Sequence, residues 1–177
     1  MERPLRTVPT MRPPPAYYRW RMTIDSVTET LLVGPDLLEP SDFQQLISRK
    51  VSAILSLQTE DDLRNRGIGW EEQAATAAGL VYRNIPVADF NPADLQRQLS
   101  ECASVLERLL KDGHIVYVHC TAGVIRSPTV VAAYLHWCEG WELEKAVRHL
   151  RQLRDCTPNA QAIRQARWAS PHRHNKP

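Results

Sequence analysis

The stretch that most limits what this chain can become is GHIVYVHCTAGVIRSP, residues 113–128. Its apolar part, 114–119, reads as a buried strand that ends on His119 and Cys120, and a helix is expected over about 127–139. Strand, short loop and helix in that order gather the loop's backbone N–H groups and the positive end of the helix around one point, where an anion is favoured twice over. Gly123 allows the tight turn and the close approach of a ligand. Arg126, at the mouth of the helix, offers a planar fork that can pair with two oxygens of a phosphoryl group. Thr121, Ala122, Gly123, Val124, Ile125 and Arg126 are therefore the expected phosphate-binding loop, with His119 and Ser127 supporting it from either side.

The same field acts on the sulfur of Cys120, because the thiolate is the nucleophile and helix ends and cations favour it. The bland alternatives are a structural thiol at Cys120 and a surface cation at Arg126, and the order of strand, loop and helix argues against both. Ser127 sits where its hydroxyl either bonds the sulfur and eases its departure from phosphorus, or is simply an N-cap or first-turn serine of the helix. Attack on a phosphate ester also needs a proton donor for the leaving oxygen, an effect of about 10²- to 10⁴-fold. Asp89 is the candidate, in the loop VADFNP beside the aromatic Phe90; the simpler role for it is support of a turn.

Around this core the pattern alternates. Residues 30–33 read as a short strand closed by Gly34 and Pro35, followed by a helix from about Ser41, taken as its N-cap, to Lys50. VSAILSL reads as a buried strand, EEQAATAAG as a helix and LVYRNIP as another strand. Asn91 as cap, Pro92 in the first turn and Asp94 near the positive end announce a long helix. Its Leu95, Leu99, Cys102, Val105, Leu106 and Leu109 share one face up to Gly113. Helices over about 142–154 and 159–168 complete the chain. Strands separated by helices predict an α/β fold, a central mostly parallel sheet flanked by helices. The expected layout is an Arg- and Pro-rich arm (1–21), a single domain (22–169) and a tail (170–177).

Bulk properties remove other classes. A chain of 177 residues can bury one core without disulfide staples. The four cysteines lack the close spacing of zinc sites; Cys102 and Cys138 read as core thiols, and Cys156 could pair with Cys120 only if the fold brings the two within about 7 Å. Lys plus Arg exceeds Asp plus Glu by only 22 to 20, which gives no argument for nucleic acid. No apolar run approaches the roughly 20 residues of a membrane helix. No metal, cofactor, nucleic-acid or membrane partner is expected, the tail's two histidines read as solvated, and the oligomeric state leaves no mark. The arm lacks the apolar core of a secretory signal. It reads as a cytosolic extension, giving a cytoplasmic protein, or, being Arg-rich and poor in acids, as an organelle transit peptide.

VHCTAGVIRSP is similar to the signature of the protein tyrosine phosphatase superfamily, and the chain resembles its dual-specificity branch. That resemblance implies the fold described above and a metal-free, two-step reaction through phosphocysteine. Cys120 would be the nucleophile, Arg126 the phosphate ligand and Asp89 the general acid. A closer likeness runs from LLVGPDLLEPSDFQQL through SLQTEDDLRNRGIGW, VADFNPADLQRQL and the signature to YLHWCEGWELEKA and CTPNAQAIRQA. These segments resemble the plant glucan phosphatases that act on phosphorylated starch and, at a greater distance, laforin-type enzymes. The likeness implies a phosphorylated glucan as substrate, Phe90 lining the sugar channel and Trp137 in the core of its helix.

Three features depart from that pattern. Ile125 stands where those enzymes carry Gly, Asn65 and Arg66 stand where they carry an aromatic pair for the sugar, and the length holds no separate carbohydrate-binding domain. Trp70 either takes over in the substrate channel or packs at the start of a helix. The same chemistry would serve a protein phosphatase for phosphotyrosine and phosphoserine/threonine. The cradle without turnover would make a non-catalytic phosphate-binding module, against which the joint presence of Cys120, Arg126 and Asp89 argues.

Overall fold

The computed structural model describes residues 23–169 apart from 65, 66 and 68. The expectations for the arm 1–21, for Asn65 and Arg66 and for the tail 170–177 lie outside the described residues. Five strands, β1 (Asp25–Ser26), β2 (Leu31–Gly34), β3 (Ala53–Ser56), β4 (Val81–Asn84) and β5 (Val116–His119), form one sheet in the spatial order β1-β2-β5-β3-β4. The pairs β2–β5, β5–β3 and β3–β4 are parallel, and β1 runs antiparallel to β2 along the edge. This is the central, mostly parallel sheet that the alternation of strands and helices implies. The edge strand β1 was not expected, since two residues carry no readable period.

Helices α1 (Pro40–Ser48) and α2 (Trp70–Ala77) cover one face of the sheet; α3 (Pro92–Lys111), α4 (Arg126–Trp137), α5 (Leu143–Leu153) and α6 (Ala160–Gln165) cover the other. The two-residue period of a strand sorts the side chains between them. Leu31, Val33, Ala53, Leu55, Val116 and Val118 join the larger apolar cluster under α3 to α6. Leu32, Ile54 and Tyr117 join the smaller one under α1 and α2. His119, two places after Tyr117, shares its face and stacks on it with ring centroids 5.6 Å apart. Cys120 therefore turns to the opposite side, into the larger cluster.

Register decides where the site forms. Gly34 and Ser56 both stand opposite His119, so the loops after β2, β3 and β5 leave the sheet side by side at its C-terminal edge. Ligands of open parallel sheets bind at such edges.

Local expectations mostly hold. Asn91 caps α3, its side chain accepting from the Asp94 N–H at 3.0 Å. Leu95, Leu99, Cys102, Leu106 and Leu109 are buried on the face that the spacing picked out, with Val105 at its margin. Ser41 is not the cap of α1. Pro40 opens the helix one residue earlier, and the Asp42 carboxylate accepts from the N–H groups of Leu38 and Glu39 at 2.7 and 2.9 Å. α6 ends at Gln165 rather than near 168; beyond it, Trp168 stacks on the half-buried Trp137 at 5.1 Å.

Gly34 has no room for a side chain. A Cβ there would lie 2.4 Å from the hydroxyl of the fully buried Tyr117 and 3.1 Å from the carbonyl oxygen of Thr23. Gly34→Ala is expected to lower stability by about 1–3 kcal/mol through overpacking. Urea unfolding checks this, and a variant as stable as the parent would show that Tyr117 can yield.

Candidate active site

Five carbonyls of the loop that follows β5 are held from outside. The Thr121 oxygen accepts from the Asp36 N–H at 3.2 Å and the Val124 oxygen from the Thr157 N–H at 2.8 Å. The Gly123 oxygen accepts from Arg154 Nε at 2.9 Å, and the Ile125 oxygen from the N–H and hydroxyl of Thr129 at 3.0 and 2.6 Å. His119 Nδ1 faces the Cys120 oxygen at 3.4 Å. A loop whose carbonyls are taken up by its scaffold offers its N–H groups to an anion on the inner side. Gly123 makes the close packing possible. It has φ +66°, and a Cβ on it would meet the backbone of Gly34 at 2.6 Å.

Cys120 sits at the base of the loop, 2% exposed, with its sulfur 3.4 Å from Ser127 Oγ. Ser127 lies in the first turn of α4 without capping it, and its hydroxyl stands 3.4 Å from both the Cys120 sulfur and the Gly34 carbonyl oxygen.

Arg126 is buried in a frame of acceptors. Its two terminal nitrogens meet the two Asp62 oxygens at 2.8 and 3.2 Å, a fork-to-fork pairing. One of them also donates to the Val87 carbonyl at 2.9 Å, and the other to Thr121 Oγ1 at 3.1 Å with Asp89 Oδ2 at the same distance. Thr121 closes the frame, donating to Asp62 at 2.9 Å and accepting from Gln58 at 3.1 Å.

Burial works to raise the pKa of Asp62, but the hydrogen bonds from Arg126 and the Thr59 N–H, with the Arg126 charge, outweigh it and hold it at about 2. Asp89, at the rim, is more open, with a side chain 36% exposed against 11% for Asp62. The structure thus brings Cys120, Arg126, Ser127 and Asp89 together as the sequence suggested.

Beside Asp89 runs a groove of about 190 Å³ lined by Phe90, Pro92, Leu95, Ile125, Arg126 and Asn159 among others. Phe90 is 92% exposed and holds φ at 54°, a conformation that non-glycine residues seldom adopt. Ile125 faces the same groove, 37% exposed. Trp70 does not join it. The indole packs edge-on against Phe43 at 6.0 Å on the other face of the sheet, which agrees with the role at a helix start and corrects the alternative place in the substrate channel. Its position at the start of α2 is the reason, since that helix covers the face turned away from Cys120.

Residues 40–169 match the family described as dual specificity phosphatase, catalytic domain. The chain belongs to this family. Among relatives of this dual-specificity domain, the chloroplastic phosphoglucan phosphatase LSF1 of Arabidopsis thaliana is 34% identical over 149 residues, 83% of this chain and 25% of that protein. The amyloplastic phosphoglucan phosphatase DSP4 of Castanea sativa is 36% identical over 140 residues, 77% of this chain and 37% of that protein. The chain thus spans well under half the length of these relatives. In fold it is similar to the human tyrosine phosphatase-like serine/threonine/tyrosine-interacting protein, with a TM-score of 0.68 at 22% identity, covering 82% of this chain and 93% of that one. Among the described residues no helix is long and apolar enough to cross a membrane.

Sequence reasoning passed over Asp62, Gln58 and Arg154. Asp62 had a signal: the acidic run TEDD starts three residues after the end of β3, at the sheet edge where parallel folds build their sites, although the run does not say which partner Asp62 meets. Arg154 had none, being one of several arginines around the end of α5.

The folded pKa of Asp62 lies below its ordinary value of 3.8, so its stabilising charge is fully present above 3.8 and is lost as pH falls through about 2. Asp62→Asn should cost about 1–3 kcal/mol at pH 7 through the lost charged hydrogen bonds, and this difference should shrink as pH approaches 2. Unfolding measured against pH checks this; a gap that stays constant into acid would contradict it.

Proposed function

We propose that this chain is a phosphoric monoester hydrolase that works through phosphocysteine at Cys120 and acts on phosphorylated glucan. The chemistry is supported above all by one feature, a thiol at the base of a loop whose carbonyls are bound on the outside, within reach of Arg126's frame. An incoming phosphoryl group meets Arg126 by displacing Asp89, the more exposed of its two carboxylate partners, while Asp62 keeps the guanidinium in plane.

In the first step the Cys120 sulfur attacks phosphorus in line, the phosphorus–oxygen bond breaks, and Asp89 gives its proton to the leaving oxygen. In the second, Asp89 takes a proton from water, the water oxygen attacks phosphorus, and the sulfur–phosphorus bond breaks with the Ser127 hydroxyl supporting the departing thiolate. Loop N–H groups and Arg126 carry the charge of the transferring oxygens in both steps. Asp62 is the less suited to the acid role, since both its oxygens are engaged by Arg126 and, against burial, these bonds with the Thr59 N–H hold its pKa down at about 2.

Support for the glucan comes from the likeness to two phosphoglucan phosphatases and from Phe90, an aromatic ring standing free at the groove beside the proposed acid, where a sugar ring can stack. Ile125 favours the second reading, a protein phosphatase, because it is bulkier than the glycine expected of a glucan enzyme and faces the same groove. Residues 22–169 form the catalytic domain in this reading. The chloroplastic and amyloplastic labels of the relatives favour an organelle address in residues 1–21 over a cytoplasmic arm.

Phosphate release from an aryl phosphate, phosphorylated amylopectin and phosphotyrosyl peptides tests this reading. Cys120→Ser should abolish all three activities, and Asp89→Asn should slow release by about 10²- to 10⁴-fold. Phe90→Ala should raise KM about 3- to 10-fold for amylopectin and leave the aryl phosphate unchanged. Release that survives Cys120→Ser would sink the mechanism, and a preference for peptides over amylopectin would replace the substrate.

A further inference from the structure

A polar cluster is sealed behind the phosphate loop, on the sheet face turned away from Cys120. His119 is 0% exposed and Glu71, in the first turn of α2, 2%. Glu71 Oε1 lies 2.6 Å from His119 Nε2, and neither atom has another partner among the described residues. Glu71 Oε2 accepts from Ser56 Oγ at 3.2 Å and from Tyr82 Oη at 3.1 Å, which anchors the carboxylate to β3 and β4. On the far side of the ring, His119 Nδ1 faces the Cys120 carbonyl at 3.4 Å.

Both ring nitrogens therefore point at acceptors, and only an imidazolium can offer a proton to each. A neutral ring would set one lone pair against an oxygen. Burial by itself favours the neutral form of both groups. Here their mutual attraction and the bonds to Glu71 override burial, lowering the pKa of Glu71 and raising that of His119. The groups facing His119 are Glu71 from α2, Tyr117 from its own strand, Asp36 from the connection between β2 and α1, and Cys120, with Tyr82 and Ser56 acting through Glu71.

We propose that Glu71 is a positioning residue for the reaction: it holds His119 doubly protonated beneath the loop, so that the imidazolium fixes the Cys120 carbonyl outward and stabilises the thiolate. The inference rests on Cys120 as the nucleophile and adds a carboxylate that touches neither substrate nor sulfur. The imidazolium faces the Cys120 carbonyl and Glu71 stands on the other side of the ring, so the pair presents its positive end to Cys120.

The test is the pH dependence of Cys120 alkylation by iodoacetamide in the full chain, located by peptide mass spectrometry. Glu71→Gln keeps the shape and the bonds to Ser56 and Tyr82 while removing the charge. It should move the alkylation midpoint up by about one pH unit, a tenfold loss of thiolate below the midpoint, whereas Glu71→Asp should restore part of the shift. A folded Glu71→Gln chain with an unchanged midpoint would overturn the proposal. Should that variant not fold, ¹⁵N spectra of the parent chain decide: a doubly protonated His119 ring at pH 7 is expected, and a neutral tautomer would overturn it. Neither measurement uses turnover, so a failed substrate assignment leaves both readable.

Discussion

Everything else at this site depends on where the carbonyls of residues 120–125 go. A short loop can present its N–H groups to an anion only if its oxygens find partners elsewhere, and unpaired buried oxygens would be costly. Three of the partners come from distant parts of the chain, Asp36 after β2 and Arg154 and Thr157 after α5, while Thr129 in α4 and His119 in β5 are neighbours in sequence. The sheet order explains why they are available. β5 emerges between β2 and β3, so its loop is enclosed by the loops of both neighbours, and Gly34 lets Gly123 approach to backbone contact.

The two carboxylates on Arg126 divide the work by exposure. Asp62, mostly buried and doubly bonded to the fork, is locked in its charged form and serves as framework. Asp89 sits at the rim on a strained turn next to Phe90, the more exposed of the two carboxylates, and in the proposed reaction it leaves the guanidinium to a phosphoryl group. A third carboxylate, Glu71, is wholly enclosed and acts through a histidine on the other side of the sheet. The three differ chiefly in how far they stand from water.

Much of this was legible in the sequence because the strongest signals were local. The run from 114 to 126 announced strand, loop and helix, and the spacing of Leu95, Leu99, Cys102, Leu106 and Leu109 announced the buried face of α3. What stayed hidden depends on register between distant segments. Nothing in TEDD shows that Asp62 will reach Arg126, and nothing near residue 71 shows that Glu71 will meet His119, because both contacts arise from the parallel alignment of β3 with β5 and the seating of α2. Of the two roles open to Trp70, packing at a helix start holds and the channel role fails for a related reason. Closeness in sequence to the expected sugar platform placed it near the channel, whereas α2 carries it to the opposite face.

The central claim is that the phosphoryl group passes through the sulfur of Cys120. The direct measurement is rapid acid quenching of the chain during turnover of an aryl phosphate, followed by mass spectrometry of the peptide that carries Cys120. A phosphorylated Cys120 that forms as the phenol is released and decays as free phosphate appears is expected. Free phosphate rising together with the phenol, with Cys120 unmodified at every time point, would contradict it.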